Sequence, residues 1–302
     1  MTETYRGRFA PSPTGPLHKG SLVAAVASYL EAKKNHGQWL VRMEDVDELR
    51  NLKGAADSIL RSLEAFGFEW DEEILYQTHR KDAYEDALQI LKNKDLVYPC
   101  TCSRKSLKAL VTEGKIKSGP LGLIYPGTCI ENNFAHFQPE DYAIRIKVAD
   151  QNINFKDTLL GLNSQNLKTD LGDFIIRRRD GLFAYQLAVV VDDAFQNITH
   201  VVRGADLLES TARQIYLQSC LNFSKPQYMH LPLITHKNGD KLSKQTGAKG
   251  ISHKADPPLI VECLKFLGQN PPQELTRETL SNVWQWAENN WKLDPLVTSP
   301  PT

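Results

Sequence analysis

The first hundred residues alternate between two spacings of apolar positions. A short apolar strand runs from Tyr5 to Ala10, and the apolar positions after it have the spacing of one helix face: Leu22, Ala25, Val26, Tyr29 and Leu30. A second strand is predicted from Gln38 to Met43, and helical spacing returns through residues 55–66 and 84–91. This β-α-β-α-α order predicts the start of a parallel sheet with crossover helices.

The pattern changes near Tyr98 and resumes after Ile176. Between these positions the sequence predicts short strands, turns and polar loops, so we interpret this segment as an insertion between two halves of the sheet. The continuous apolar run from Leu187 to Val191 predicts a strand that is covered on both faces. The next predicted elements are a strand, a helix and an apolar stretch, over residues 198–202, 208–221 and 229–234.

Charge and composition exclude some classes of protein. The 302 residues contain 36 Lys plus Arg and 36 Asp plus Glu, so contact with a nucleic acid requires a local basic patch. Arg177-Arg178-Arg179 is the densest such cluster, and it is either a phosphate contact or a solvated strand end. The first six residues lack an apolar core, and no apolar run approaches the roughly 20 residues of a membrane span. We therefore expect a soluble, cytoplasmic protein.

The loop from Arg8 to Ser21 has the features of a phosphate-binding turn. Pro11, Pro13 and Gly15 exclude a helix through its middle, and a helix begins immediately after it. A strand, a Gly/Pro loop and a helix start together present backbone N–H groups and the positive end of a helix dipole to an anion. His18 precedes that helix start, where its ring can reach the same anion. An ordinary connection between a strand and a helix is the alternative.

A second polar loop contains two lysines spaced by three, in Lys241-Leu242-Ser243-Lys244-Gln245. Two such lysines with a serine between them could hold a polyphosphate. Taken alone, a pattern of this kind is more usual for a solvated surface loop.

Together, the two loops resemble the paired signatures of class I aminoacyl-tRNA synthetases. His18-Lys19-Gly20-Ser21 is similar to the His-Ile-Gly-His signature, with Ser21 in fourth place. The second loop is similar to the Lys-Met-Ser-Lys-Ser signature, with Gln245 in last place. Four further segments resemble the glutamyl-tRNA synthetase branch of this family: residues 9–15, 42–47, 185–188 and 202–206. The matches occur in order, so the resemblance covers the whole catalytic portion.

The resemblance implies a glutamate-activating site with two sides. It places five residues around the glutamate: Arg8, Ser12, Glu44, Tyr185 and Arg203. Glu44 is the natural partner of the ammonium group and the two arginines of the carboxylates, and which arginine takes which carboxylate stays open. It places five residues around ATP and its Mg²⁺: His18, Gly20, Ser21, Lys241 and Lys244. His18 and Lys244 are the implied catalytic residues, because charge builds on the phosphoryl oxygens as pyrophosphate leaves.

The cysteines suggest a metal site rather than a disulfide framework. Cys100, Cys102 and Cys129 supply three thiolates, one short of the four ligands of structural zinc. His136 or Tyr125 could complete the set. A set of Cys-x-Cys, Tyr and Cys resembles the zinc site of certain short glutamyl-tRNA synthetase paralogues, which favours Tyr125. Three unrelated thiols are the alternative.

The predicted fold is α/β, a class I synthetase Rossmann-type parallel sheet that is split by a small zinc-containing insertion and followed by a short C-terminal helical region. We predict the first half of the catalytic domain over residues 1–97, an inserted acceptor-type, zinc-binding subdomain over 98–176 and the second half with the lysine loop over 177–250. Residues 251–302 are predicted as a short helical appendage, without an anticodon-binding domain.

This short C-terminal region resembles the truncated, tRNA-modifying members of the glutamyl branch. The resemblance implies that a monomer activates L-glutamate with ATP, without tRNA, to glutamyl-adenylate. Transfer of the glutamate to queuosine at the anticodon wobble position of tRNA(Asp) would follow. Two other functions stay open: a short glutamyl-tRNA synthetase that charges a tRNA 3′ end, and, from a different class, a small-molecule nucleotidyltransferase or a non-catalytic RNA-binding paralogue.

Overall fold

The computed structural model describes residues 4–119, 122–234, 250–294 and 296. The lysine loop, residues 241–245, lies outside them. The elements of the first half are β1 (Arg6–Phe9), α1 (Lys19–Lys34), β2 (Gln38–Met43), α2 (Ala55–Ala65), β3 (Leu75–Tyr76) and α3 (Lys81–Asn93). Strand β2 pairs in parallel with β1 on one side and with β3 on the other. The predicted β-α-β-α-α order is confirmed, with the short β3 added before the last helix.

The middle of the chain is mostly antiparallel. Its elements are β4 (Val97–Cys100), α4 (Arg104–Thr112), β5 (Ser118–Gly119), β6 (Gly122–Leu123), β7 (Ala143–Ile146), β8 (Asn152–Asp157), β9 (Gly161–Asn166), α5 (Leu167–Asp170) and β10 (Phe174–Arg177). Strands β4, β7 and β10 form an antiparallel sheet of their own, with β7 in the centre. The β8–β9 hairpin belongs elsewhere, because β8 pairs with a strand of the second half.

The second half returns to parallel pairing. Its elements are α6 (Tyr185–Phe195), β11 (His200–Gly204), α7 (Leu208–Leu221), β12 (Gln227–Leu231), α8 (Pro257–Phe266) and α9 (Leu280–Asn290). Strand β11 runs parallel to β12, which pairs with β8 through Tyr228 and Asp157. The N–H of Thr199, just before β11, donates to the carbonyl of Arg6 at 3.0 Å. The two halves therefore meet along β1 and β11.

The strand predicted from Leu187 to Val191 is wrong, because these residues lie in the middle of helix α6. Every residue from Gln186 to Asp193 is buried, since α6 packs against α3 and α7. A continuous apolar run identifies burial on all sides, which a fully covered helix and a fully covered strand share.

The C-terminal helices share the core of the first half. Helices α8 and α9 both pack against α1. The indole N–H of Trp284 donates to the carbonyl of Phe66 at 2.8 Å, and that of Trp291 donates to the Glu31 carboxylate at 2.5 Å. Trp284 also meets the Tyr29 ring edge-on. Among the described residues, no helix is both long and apolar enough to cross a lipid bilayer.

Candidate active site and cysteine cluster

A cavity of about 550 Å³ opens where β1, β2 and β11 end. The carboxyl ends of neighbouring parallel strands are the usual ligand-binding edge of an open α/β sheet. Eight residues predicted for the site line this one cavity: Arg8, Ser12, His18, Gly20, Ser21, Glu44, Tyr185 and Arg203. The remaining two predicted residues, Lys241 and Lys244, lie outside the residues that the structure describes.

His18 is the N-cap of helix α1. Its backbone is extended, and its Nδ1 accepts a hydrogen bond from the backbone N–H of Ser21 at 3.2 Å. The first turn of α1 contains no acidic residue, so the helix dipole there is not offset by a carboxylate of its own helix. Since Gly20 and Ser21 lie in this turn and line the cavity, the start of α1 can receive an anion such as a phosphate.

Asp193 connects two buried arginines behind the cavity. Its Oδ1 accepts from Arg8 Nε at 3.2 Å and from an Arg42 terminal nitrogen at 2.7 Å. Burial alone would raise the pKa of Asp193, but the two guanidinium groups outweigh it and lower the pKa below the ordinary aspartate value. The charge of Arg8 is therefore shared with an internal carboxylate that is ionised at neutral pH.

Glu44 follows β2 and places its carboxylate in the cavity wall. Its side chain is 7% exposed, and its Oε1 lies 3.4 Å from Arg42. Burial raises the pKa of Glu44, and the nearby Arg42 and Arg8 offset only part of this effect. A cation that enters the cavity can therefore stabilise the ionised form of Glu44.

Arg203 is a buried cation with neutral partners. Within the described part of the chain it forms no ion pair. Its guanidinium donates to His230 Nε2 at 3.0 Å, to Gln214 Oε1 at 2.8 Å, to Thr211 Oγ1 at 2.9 Å and to the Leu207 carbonyl at 3.4 Å. These bonds fix its plane while its charge lacks a direct carboxylate partner, so a ligand carboxylate in the cavity is its natural complement.

The described residues on either side of the lysine loop line the cavity or contact residues that line it. Ile234 lines it on one side of the loop. On the other side, Gly250 forms an antiparallel bridge with His18, and Ile251 N–H donates to the Leu17 carbonyl at 2.8 Å. A side chain at Gly250 would place its Cβ 2.8 Å from Pro16 Cγ, so the close approach requires glycine.

The three predicted cysteine ligands lie together beside Tyr125. The sulfur atoms of Cys100, Cys102 and Cys129 all lie within 4.8 Å of one another. Tyr125 Oη lies 3.3 Å from Cys100 Sγ and 3.7 Å from Cys102 Sγ. The alternative ligand, His136, is exposed at the end of a short 3-10 helix and is absent from this cluster. Three soft sulfur donors and a phenol oxygen fit a four-coordinate zinc ion.

Two residues hold this cysteine cluster in place. The Arg145 guanidinium donates to Cys100 Sγ at 3.2 Å and lies 3.7 Å from the centre of the Tyr125 ring. Gly172, at φ +73°, brings its backbone against that of Tyr125, and a Cβ there would lie 2.3 Å from the Tyr125 carbonyl oxygen. The cluster therefore has a buried counter-charge and a fixed tyrosine backbone.

Comparison with known proteins assigns the family. Residues 4–276 match the family model described as tRNA synthetases class I (E and Q), catalytic domain. The chain is 53% identical over 296 residues to the glutamyl-Q tRNA(Asp) synthetase of Dechloromonas aromatica, with 98% of this chain and 97% of the relative covered. This chain belongs to the glutamyl-Q tRNA(Asp) synthetase family.

Other members and solved structures agree with this assignment. The glutamyl-Q tRNA(Asp) synthetase of Pseudomonas fluorescens is 48% identical over 302 residues, with 99% of this chain and 97% of the relative covered. The crystal structure of a glutamate-tRNA synthetase from Elizabethkingia anophelis superposes with a TM-score of 0.79 at 26% identity, covering 99% of this chain and 68% of that one. The chain is an enzyme of the ligase type with a class I synthetase catalytic domain.

Several polar residues near the cavity of this glutamyl-Q tRNA(Asp) synthetase family member were not predicted from the sequence. Arg50 and Asp206 also line the cavity, and Asp193 lies behind it. Asp206 ends one of the family-like segments, which was a usable signal. Asp193 follows the apolar run that predicted a strand. Its contacts with Arg8 and Arg42 could not be predicted while this segment was interpreted as a strand and not as helix α6.

The arginine cluster is largely engaged within the chain. Arg178 pairs with Asp47 at 3.0 Å and with Asp180 at 2.5 Å. Arg179 donates to the carbonyl of Thr101, between two of the clustered cysteines, at 3.0 Å. All three contacts are made within the chain, and the phosphate contact remains a prediction.

Proposed function

We propose that this chain activates L-glutamate with ATP, without tRNA, and transfers the glutamate to queuosine at the wobble position of tRNA(Asp). The observation that carries the proposal is the pairing of opposite charges in one cavity, with Glu44 and Arg203 both beside the start of α1. A free glutamate offers an ammonium group and two carboxylates to this arrangement. The relatives' names, glutamyl-Q tRNA(Asp) synthetase, supply the tRNA and the modified base.

On the glutamate side, each charge of the substrate has a partner. The carboxylate of Glu44 receives the ammonium group, which favours the ionised form of Glu44. Arg203 receives one carboxylate, because among the described residues its guanidinium donates only to neutral partners. Arg8 faces the other while sharing Asp193 with Arg42. Ser12 and Tyr185 add hydroxyl groups to the same wall.

On the ATP side, the start of α1 receives phosphate groups of the Mg²⁺-bound nucleotide. The backbone N–H groups near Gly20 and Ser21 and the ring of His18 lie there. Lys241 and Lys244 act on the same polyphosphate. Their segment follows Ile234, which lines the cavity, and precedes Gly250, which bridges to His18. The α-carboxylate of glutamate attacks the α-phosphorus, pyrophosphate leaves, and these donors stabilise the charge that builds up on the phosphoryl oxygens.

In the second step, a hydroxyl of the cyclopentene-diol of queuosine attacks the carbonyl carbon of glutamyl-adenylate. The new ester bond forms, AMP leaves with the electron pair of the broken acyl–phosphate bond, and the hydroxyl proton is released. Binding energy from the tRNA then serves to position one hydroxyl against the adenylate.

Cys100, Cys102, Cys129 and Tyr125 are proposed to hold one structural zinc ion. A bound zinc would join the turn after β4 to the loop that contains Tyr125, and so stabilise the insertion proposed over residues 98–176. Arg145 would offset the negative charge that three thiolates and a phenolate bring to one divalent ion.

The proposed activation step predicts glutamate-dependent ATP–pyrophosphate exchange in the absence of tRNA. Labelled pyrophosphate should enter ATP when glutamate is present, and aspartate and glutamine serve as controls for the amino acid. Exchange that ignores glutamate would instead favour the small-molecule nucleotidyltransferase.

A further inference from the structure

Asp157, His230 and Arg203 form a buried chain of contacts that leads into the cavity. The Asp157 Oδ2 and His230 Nδ1 atoms lie 2.6 Å apart, and the Arg203 Nε–H donates to His230 Nε2 at 3.0 Å. Asp157 and His230 are fully buried, and Arg203 is 5% exposed. Only Arg203 of the three lines the cavity.

The contacts determine which ring nitrogen of His230 holds the proton. A guanidinium N–H can only donate, so His230 Nε2 must accept from Arg203. In a neutral ring the proton then lies on Nδ1, from which it is donated to Asp157. Burial lowers the pKa of His230, and the neighbouring Asp157 offsets only part of this, which agrees with a neutral ring.

Asp157 is itself fixed by the fold. Its Oδ1 accepts from the backbone N–H groups of Leu159 and Leu160 at 3.0 and 2.9 Å, which leaves Oδ2 for His230. Its position at the end of β8 pairs it with Tyr228 of β12. The Asp157 carboxylate is thereby held on the far side of the His230 ring from the Arg203 guanidinium. Through that ring it partly balances the positive charge of Arg203.

We propose that Asp157 and His230 are positioning residues for Arg203, and that they fix the orientation in which its guanidinium binds a carboxylate of glutamate. This inference rests on the proposed glutamate-activating function. Neither residue touches the substrate. Asp157 sets the tautomer of His230, and His230 then presents a lone pair that holds Arg203 Nε.

Asp157→Asn tests this assignment with a change of nearly equal size. The asparagine oxygen can still accept from Leu159 and Leu160, while its NH₂ group would donate to His230 Nδ1. The proton of the ring would then move to Nε2 and oppose Arg203 Nε–H. In ATP–pyrophosphate exchange, the KM for glutamate should rise about tenfold or more, with the KM for ATP within about twofold.

Three variants keep the test independent of a general loss of stability. His230→Leu removes the acceptor and should raise the glutamate KM as much as Asp157→Asn. His230→Gln can offer an amide oxygen to Arg203 and should recover part of the loss. Adding Asp157→Asn to His230→Gln should raise the KM no further, because no ring tautomer remains to invert.

Asp173→Asn is the matched control, since Asp173 is an equally buried aspartate that accepts from Tyr98 and Val148 away from the cavity. It should lower the melting temperature without a selective rise in the glutamate KM. An unchanged glutamate KM in Asp157→Asn would overturn the inference. A wild-type protein without glutamate-dependent exchange would instead overturn the proposed function.

Discussion

Gly250 and His18 lie side by side in an antiparallel bridge, and His18 lines the same cavity as Arg8, Glu44 and Arg203. His18 begins the first signature, and Gly250 follows the segment that contains the second. The fold thus places Gly250, which follows the segment with the two lysines, next to the residue that caps α1.

Lys244→Ala should slow glutamate-dependent exchange by on the order of 10²–10³, the usual effect of removing one donor to a developing oxyanion. The melting temperature should stay within a few degrees of the wild type. Lys254→Ala, at an exposed lysine further along the chain, is the matched control and should exchange normally. Full activity in Lys244→Ala would remove this lysine from the mechanism.

Glu44→Gln should separate binding from stability. Loss of the ammonium partner should raise the KM for glutamate roughly 30-fold or more, as expected for a broken buried charge pair. Burial in the folded state raises the pKa of Glu44. The folded protein is therefore more stable with Glu44 protonated, and ionisation of Glu44 at neutral pH reduces the free energy of unfolding. The neutral glutamine should therefore raise the melting temperature of the free protein.

Acidification should lower kcat/KM for glutamate in the wild-type enzyme by protonating Glu44. Because the pKa of Glu44 is raised, kcat/KM for glutamate should begin to fall at a higher pH than the ordinary glutamate pKa would allow. Glutamate titrations of exchange rate across pH would measure it. In Glu44→Gln this fall in kcat/KM at low pH should be absent. The same fall in both proteins would assign the titration to another group.

Arg203→Met should raise the KM for glutamate by roughly 30-fold or more, as expected for Glu44→Gln. Arg203→Lys should restore little, because a lysine cannot replace four hydrogen bonds from one fixed plane. Arg61→Met, at an exposed arginine on α2, provides the control. Glutamate KM values equal to the wild type in both Arg203 variants would place the substrate carboxylates elsewhere.

The zinc content of the protein should depend on the three clustered cysteines and on Tyr125. Protein purified without chelator should hold one zinc per chain, and Cys100→Ala with Cys102→Ala should lose it. Tyr125→Phe should lower the affinity for zinc, while His136→Ala should retain it. The reverse result for the last two variants would make His136 the fourth ligand.

Gly172→Ala should damage the same region for a steric reason. The new Cβ would meet the Tyr125 carbonyl oxygen at 2.3 Å, whereas Gly114 has a similar positive φ and open space around it. Both alanine variants carry the backbone cost of about 1 kcal/mol that a left-handed conformation imposes. Only Gly172→Ala should also lose zinc and show a clearly lower melting temperature, and equal behaviour of the two would contradict the contact.

The features that were predicted best from the sequence are those that depend on residues close together along the chain. The turn from Arg8 to Ser21, the position of Glu44 after a strand and the spacing of the cysteines are short-range patterns, and the fold brings their side chains to two sites. Helix α6 was predicted as a strand because its burial on all sides hides its period. The link from Asp157 to His230 was not predictable, since it requires the β8–β9 hairpin from the middle of the chain to pair with β12.

The central claim is best tested by locating the product on the tRNA. The protein should be incubated with ATP, labelled glutamate and tRNA(Asp) that contains queuosine, and the tRNA then cut into fragments. We predict label in the anticodon-loop fragment, retained when the 3′-terminal adenosine is removed and lost when the tRNA lacks queuosine. Label at the 3′ end, independent of queuosine, would contradict the account and identify a short glutamyl-tRNA synthetase.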